Sequence, residues 1–133
     1  MFYISKEKNR LQPSRMLELL GNTYWAKNRT LEQMHTAIEN SECFGAYDSV
    51  THQQIGLVRV VTDYVCAYYI CDVIVDPDYR GRGVSKALME AVVTDPSFGH
   101  LRGLLVTSDA HGLYEKYGFT QANSRHMGKE PQK

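Results

Sequence analysis

The sequence lacks the features of several protein classes. It contains no apolar run near the ~20 residues that a membrane-spanning helix needs, and its first residues lack the layout of a signal peptide. The cysteines, Cys43, Cys66 and Cys71, are odd in number and have no metal-ligand spacing with a histidine. We therefore expect a cytoplasmic protein with no membrane partner, no disulfide framework and no bound metal.

The chain also lacks an excess of charge of either sign. Its 15 lysine and arginine residues balance 15 aspartate and glutamate residues. No long-range field therefore favours nucleic acid, and no nucleic-acid partner is expected. Any anionic ligand must be held by a local arrangement of donors.

What is present is typical of one compact domain. The 133 residues are 43% hydrophobic and 23% charged, and they show no internal repeat or linker. A short strand at residues 3–5 precedes a helix from Pro13 to Leu20. The capping box of residues 30–33 opens a second helix. We expect a single domain over residues 1–133.

The rest of the chain alternates strands and helices. Strand-like runs at 43–47, 54–62 and 64–75 predict an antiparallel meander, of which the third run is apolar on both faces. The elements expected next are a helix from Val84, ended by Asp95-Pro96, a strand at 101–107, a helix at 109–117, and one or two short strands after Phe119. This order predicts an α+β, or mixed α/β, fold.

A glycine-rich loop, Arg80-Gly81-Arg82-Gly83, leads from the third strand of the meander into the helix from Val84. The first N–H groups of a helix lack intrahelical partners, and glycines let the backbone approach a phosphate closely. The spacing does not match a Walker A motif, and Lys86 stands where a dinucleotide fingerprint has its third glycine. A strand-to-helix turn that uses glycines for geometry alone remains the alternative.

Two segments resemble the GNAT N-acetyltransferase superfamily. Arg80-Gly81-Arg82-Gly83-Val84-Ser85 is similar to its acetyl-CoA motif, Arg/Gln-x-x-Gly-x-Gly/Ala, and residues 110–119 are similar to its later signature ending in Tyr-x-Lys-x-Gly-Phe. Ser85 replaces the usual glycine or alanine, and Thr107 replaces the usual asparagine before the last helix. The resemblance implies a central, mostly antiparallel, twisted sheet of about six to seven strands flanked by four helices.

The resemblance also implies a function. The chain would bind acetyl-CoA and transfer the acetyl group directly to a primary amine of a small molecule or peptide. The alternative is a non-catalytic acyl-CoA-binding regulatory protein of the same fold. A homodimer that covers free strand edges is a further expectation.

Site residues follow from the same resemblance. The backbone of three strand residues would hold the acetyl and pantetheine arm: Val73, Ile74 and Val75. The diphosphate would be held by Arg80, Gly81, Arg82, Gly83, Val84, Ser85 and Lys86. The acceptor pocket would be shaped by Tyr24, Trp25 and Arg29.

The chemistry requires an acid and a base. Tyr114 is the expected acid beside the thioester sulfur, although the helical spacing of Ala110, Leu113, Tyr114 and Tyr117, at i, i+3, i+4 and i+7, is also typical of a packed aromatic residue. Asp72 is the first candidate for the base, ahead of His111 and Asp109. Tyr69, acting through a water molecule, is a further candidate.

Overall fold

The protein folds into a mixed α/β structure with one five-stranded sheet in the residues described. The structure is a computed structural model that describes residues 1–107, 110–121 and 127–131. Its strands and α-helices are β1 Phe2–Ser5, α1 Pro13–Leu20, α2 Leu31–Glu39, β2 Glu42–Asp48, β3 Gln54–Thr62, β4 Ala67–Val75, α3 Val84–Val93, β5 Arg102–Leu105 and α4 His111–Glu115. Short 3-10 helices occupy Lys8–Arg10 and Pro77–Tyr79.

The strands lie in chain order across the sheet, from β1 to β5. Neighbours β1 to β4 are antiparallel, whereas β4 and β5 are parallel because α3 connects them. β5 pairs with β4 only from Ala67 to Ile70. The second half of β4, residues 71–75, therefore has β3 on one side and no strand on the other within the described chain.

A β-bulge interrupts β4 at the same point. Arg59 lies opposite Asp72 and Val60 lies opposite Ile70, which leaves Cys71 as an extra residue. Bulges redirect the side chains that follow them. Here the bulge lies where β4 loses its second neighbour, and Asp72 follows it directly.

Two apolar cores cover the two faces of the sheet. Successive side chains of a strand point to opposite faces. Val58 accordingly packs in the cluster that contains Leu88 of α3, whereas Leu57 packs in the cluster that contains Met16 of α1 and Met34 of α2. Each of these five side chains is at most 1% exposed. The helices thus hold β4 from both sides, which fixes the position of its free edge.

The predicted order of elements is confirmed, as is the capping box. The Thr30 hydroxyl accepts from the Gln33 N–H at 3.1 Å, and the Gln33 side chain accepts from the Thr30 N–H at 2.9 Å. β4 begins at Ala67 rather than Tyr64, because the Asp63 carboxylate accepts from the N–H groups of Val65 and Cys66 and forms a turn there.

The predicted count of six to seven strands is too high for the described chain, which has five. The extra strands were expected after Phe119. Residues 119–121 and 127–131 form none, and residues 122–126 lie outside the described ranges. The last helix is shorter than predicted, ending at Glu115, and Asp109 also lies outside the described residues. No helix in the described ranges combines the length and apolar character needed to cross a membrane.

Candidate functional site

The loop from β4 to α3 is held in place by polar contacts at its start. The Asp76 carboxylate accepts from the Asp78 N–H at 2.9 Å, and Arg15 forms an ion pair with Asp76. The Tyr79 hydroxyl donates to the Asp48 carboxylate at 2.7 Å. These contacts fix the chain just before Arg80, so the loop leaves the carboxyl end of β4 in a defined direction.

The glycines of the loop adopt a conformation that other residues rarely adopt. Gly81 and Gly83 have φ angles of 79° and 82°, in the left-handed region that favours glycine. A β-carbon added at either position would meet no atom within 4 Å. The space above these glycines is therefore open, and a side chain there would occupy it.

The N-terminus of α3 presents unsatisfied donors to this space. Gly83 is the N-cap residue, and as a glycine it has no side chain that could accept from the first N–H groups of the helix. The first bond is from the Ala87 N–H to the Gly83 carbonyl, at 3.0 Å, and the N–H groups of residues 83–86 donate to no acceptor in the described chain. The helix dipole adds partial positive charge at this end. The site therefore suits an anion of diphosphate size.

Basic side chains surround the same helix end. Arg80 and Lys86 are exposed, and neither forms an ion pair within the described residues. Arg82 lies 5.1 Å from the centre of the Tyr79 ring, a cation–π contact. Ser85 is half-buried and Val84 is only 1% exposed, so Val84 anchors the helix start in the core.

The predicted backbone site for the acyl arm lies at the free edge of β4. Val73 and Ile74 are half-buried, and Val75 is 8% exposed. They share strand β4 with Asp72 and lead through Asp76 into the glycine loop. Because β5 does not pair with this half of β4, the main-chain groups along that edge are open to a ligand within the described chain.

Tyr114 lies in a cavity of about 550 Å³ between β5 and α4. His111 of α4 and Thr107 after β5 also line it. The Tyr114 ring packs edge-on against Phe119, with ring centres 6.4 Å apart, and against the core on the α3 side. Tyr114 is thus both a cavity residue and a packing residue.

Asp72 lies at the centre of a polar cluster, called here the Asp72 cluster: Asp72, Arg59, Arg29 and Trp25. The Asp72 side chain is fully buried. It accepts from Arg59 Nε at 2.7 Å, from Arg29 Nη1 at 2.8 Å and Nη2 at 3.3 Å, and from the Trp25 indole at 3.0 Å. Burial alone would raise the pKa of Asp72, but hydrogen bonds and charge from Arg29 and Arg59 outweigh burial and hold it below the usual range.

The geometry argues against Asp72 as the general base. Its two oxygens accept from four donor groups, which accounts for the lone-pair sites of a carboxylate. A carboxylate with a lowered pKa is a weak base, and protonation would break buried ion pairs. The contacts instead favour a positioning role, in which Asp72 holds Arg29 and Trp25 against β4.

The segment between α1 and α2 forms a second cavity, called here the acceptor-loop pocket. It has a volume of about 310 Å³ and is lined by residues 24–29 and Gln33. Tyr24 and Trp25 meet edge to face with ring centres 5.2 Å apart. Lys27 is exposed and forms no ion pair within the described residues. The pocket adjoins β4 because two of its residues bind Asp72.

The sequence-predicted residues thus fall into three groups. Tyr24, Trp25 and Arg29 line one pocket, and Asp72 joins it to β4. The glycine loop follows β4 directly, and Tyr114 lies beside β5 in a separate cavity. Asp109 falls outside the described residues.

Sequence reasoning missed Arg59, the second partner of Asp72. A single arginine within the apolar run Leu57-Val58-Arg59-Val60 of a central strand was the available signal, since a charge is rarely buried without a counter-charge. Arg15 was also missed; its Nε donates to the Gln54 carbonyl at 2.9 Å, besides pairing with Asp76. In the described chain, no group of three or more His, Cys, Asp or Glu side chains is placed to hold a metal ion.

Comparison with known proteins places these features in a family. The model of the Acetyltransferase (GNAT) domain matches residues 39–121, which is more than half of the chain. FG08082 of Gibberella zeae, assigned to the acetyltransferases, is 31% identical over 114 residues, covering 70% of this chain and 63% of the relative. The chain thus spans less than two thirds of that relative's length.

Solved structures support the same family assignment. A protein of Xanthomonas campestris pv. campestris assigned to the GNAT family is 39% identical, with a TM-score of 0.91 over 98% of this chain and 94% of that one. AAC(6')-Iy, in complex with the bisubstrate analogue CoA-S-monomethyl-acetylneamine, has a TM-score of 0.70 at 17% identity, with 99% of each chain covered. At that identity the likeness concerns the fold alone.

Proposed function

The chain belongs to the GNAT acetyltransferase family, and from this premise we propose that it is an acetyl-CoA-dependent N-acetyltransferase. It transfers the acetyl group directly to a primary amine of a small molecule or peptide. One observation carries the proposal: the open N-terminus of α3, where the N–H groups of residues 83–86 bond no acceptor in the described chain. A site of this kind binds diphosphate, which CoA contains.

In this proposal the loop binds the donor. The N–H groups of Gly83, Val84, Ser85 and Lys86 and the loop N–H groups before them hold the diphosphate, and the exposed Arg80 and Lys86 side chains add charge. The missing β-carbons of Gly81 and Gly83 leave room for it. AAC(6')-Iy, whose fold is similar, was solved in complex with an analogue that contains CoA, which supports CoA as the ligand of this fold.

The thioester supplies an activated acetyl group with a thiol leaving group. Main-chain groups of Val73, Ile74 and Val75 orient the acyl arm along the free edge of β4. An N–H near Val73 or Ile74 stabilises negative charge on the acetyl oxygen. Tyr114, which lines the cavity beside β5, hydrogen-bonds the sulfur as it leaves.

The acceptor must lose a proton before it can attack. A lysine-like amine with a pKa of ~10.4 is neutral in only about one molecule in 10³ at pH 7, which corresponds to roughly 4.6 kcal/mol. The structure argues against Asp72 as the group that removes this proton. Two of the expected candidates for the base remain within the described residues: His111, which lines the same cavity as Tyr114, and Tyr69 of β4, which would act through a water molecule.

The test is a substitution at the glycine loop. Gly83→Glu places bulk and negative charge over the open N–H groups and is expected to abolish CoA binding, measured by calorimetry. Gly99→Glu is the matched control, because Gly99 is exposed, has an ordinary φ and would meet no atom within 4 Å. Melting curves of both variants check that each remains folded, since Gly83 also has a left-handed φ.

Unchanged CoA affinity in Gly83→Glu would refute the assigned loop. Catalysis is tested separately by thiol release from acetyl-CoA with a broad panel of amines. If CoA binds but no amine promotes thiol release, and if Tyr114→Phe changes neither CoA binding nor thiol release, the chain is instead a non-catalytic acyl-CoA-binding regulator.

A further inference from the structure

The acceptor-loop pocket carries an excess of positive charge. The Asp72 cluster has two guanidinium groups, from Arg29 and Arg59, and one carboxylate, which leaves one positive charge uncompensated. Lys27 on the pocket wall adds a second positive charge, and no described acidic residue pairs with it. The acceptor-loop pocket and the Asp72 cluster together therefore hold about two positive charges.

The pocket contains no counter-charge that could receive a cationic ligand. None of the described lining residues, 24–29 and Gln33, is an aspartate or glutamate. The carboxylate in contact with this segment, that of Asp72, is fully buried and accepts from four donors already. A polycationic acceptor would therefore meet repulsion here with no carboxylate to offset it.

Donors for an anion remain available. Arg29 uses one hydrogen on each terminal nitrogen for Asp72, and its side chain is 18% exposed. A guanidinium has five N–H donors, so its Nε–H and two further N–H groups bond no described residue. Lys27 supplies an exposed ammonium. A fixed guanidinium and an exposed ammonium that line the same pocket suit a carboxylate or phosphate.

We propose that the amine acceptor carries an anionic group, a carboxylate or a phosphate, which Lys27 and Arg29 bind in the acceptor-loop pocket. The inference rests on the proposed transferase function, because the pocket adjoins β4 only through Asp72 and its partners. Asp72 fixes Arg29, so the anion is held at a set position relative to the edge of β4. The same positive charge lowers the pKa of a nearby ammonium and favours its neutral, reactive form.

Trp25 provides a direct measurement of this pocket, because it is the single tryptophan of the chain and lines the wall. Its fluorescence in the presence of CoA is titrated with matched amines: phosphoethanolamine against ethanolamine, and phenylalanine against phenylalaninamide. Spermidine is the polycationic comparison. We expect at least one anionic member to bind about tenfold or more tightly than its partner that lacks the anionic group. The pair with the larger ratio identifies phosphate or carboxylate as the preferred anion.

Substitution identifies the residue responsible. Lys27→Gln is expected to remove most of the preference for the anionic member, whereas Lys8→Gln, at an exposed lysine outside the pocket, keeps it. Equal binding within both pairs, tightest binding by spermidine, no response to either anionic amine, or an unchanged preference in Lys27→Gln would each overturn the proposal.

Thiol release with the same panel separates the two proposals. A Trp25 response to the anionic amine without thiol release keeps the pocket assignment and contradicts the transferase function. Thiol release with no preference between paired amines keeps the function and contradicts the anion-binding pocket.

Discussion

At the scale of single residues, Asp72 holds a buried negative charge between two guanidinium groups. Asp72→Asn keeps the shape but removes the charge, which leaves Arg59, 9% exposed, facing Arg29 without a counter-charge. Breaking a buried pair by removing one partner costs about 3 kcal/mol or more. We expect a loss of about that size in the free energy of unfolding, measured by urea denaturation.

Asp78→Asn is the matched control, because Asp78 is exposed and forms no ion pair in the described chain. Kinetics then distinguish positioning from proton transfer. If Asp72 positions Arg29, its substitution raises KM for the acceptor more than it lowers kcat. A large fall in kcat at unchanged KM, with the acidic limb of the pH–rate profile lost, would restore Asp72 as the base.

Tyr47 is a second residue with a measurable effect. Its side chain is 1% exposed, and its hydroxyl has no hydrogen-bond partner among the described residues. An unsatisfied buried polar group costs roughly 1–3 kcal/mol. Tyr47→Phe removes the hydroxyl and keeps the stacking on Tyr3, with ring centres 5.3 Å apart. We therefore expect it to stabilise the protein by about 1 kcal/mol in urea denaturation.

The control for this substitution is Tyr3→Phe. The Tyr3 hydroxyl bonds His52 Nδ1 at 2.9 Å in an exposed position, so its loss should leave stability unchanged or slightly lower. A destabilised Tyr47→Phe variant would mean that the buried hydroxyl has a partner after all.

At the scale of elements, α2 begins at a complete capping box directly after Arg29. Thr30→Ala removes the oxygen that accepts from the Gln33 N–H, and such a loss costs about 1 kcal/mol. We expect a decrease of that size in the free energy of unfolding, with the affinity for CoA unchanged because the glycine loop is elsewhere. Thr51→Ala, in an exposed turn, is the control.

A loss of CoA affinity in Thr30→Ala would show that the start of α2 is coupled to the loop at α3, contrary to this expectation. A loss no larger than that in Thr51→Ala would show that the capping box contributes little.

How far sequence predicts these elements depends on how local their causes are. The capping box, Pro13 at the start of α1 and the glycine turn before α3 are set by neighbouring residues, and each was predicted. The bulge at Cys71 was not predicted, because it depends on the register between β3 and β4. The pairing of Asp72 with Arg59 and Arg29 was missed for the same reason: it joins residues 13 and 43 positions apart.

At the scale of the whole molecule, several ionisable groups set the pH range of stability. The pKa of Asp72 is held low against burial by its arginine partners, and that of Asp95 is held low against burial by Lys6 and Ser97. Hydrogen bonds from backbone N–H groups lower the pKa of Asp63 to about 2. In the unfolded chain these carboxyl groups titrate near pH 4. At the alkaline end, burial raises the pKa of Tyr47 to about 12.

The sign of each effect follows from proton binding. Below pH ~4 the unfolded chain binds more protons than the folded protein, so stability falls as the pH decreases towards the lowered folded pKa values. Between pH ~10 and 12 the unfolded tyrosine loses its proton while folded Tyr47 keeps it, so stability falls as the pH rises. We expect the urea midpoint to be nearly constant with respect to these groups between about pH 5 and 9, and to decrease on both sides.

Two variants distinguish the acidic decrease in stability from the alkaline one. Asp72→Asn should make the acidic decrease less steep, because one of the groups that take up a proton is gone while Asp63 and Asp95 remain. Tyr47→Phe should likewise lessen the alkaline decrease, to which Tyr64, whose pKa is also raised to about 12, still contributes. Because the two substitutions lie in different clusters, their effects should be independent. An acidic limb in Asp72→Asn as steep as in the parent protein would show that Asp72 has an ordinary pKa, and the argument for its positioning role would lose its electrostatic basis.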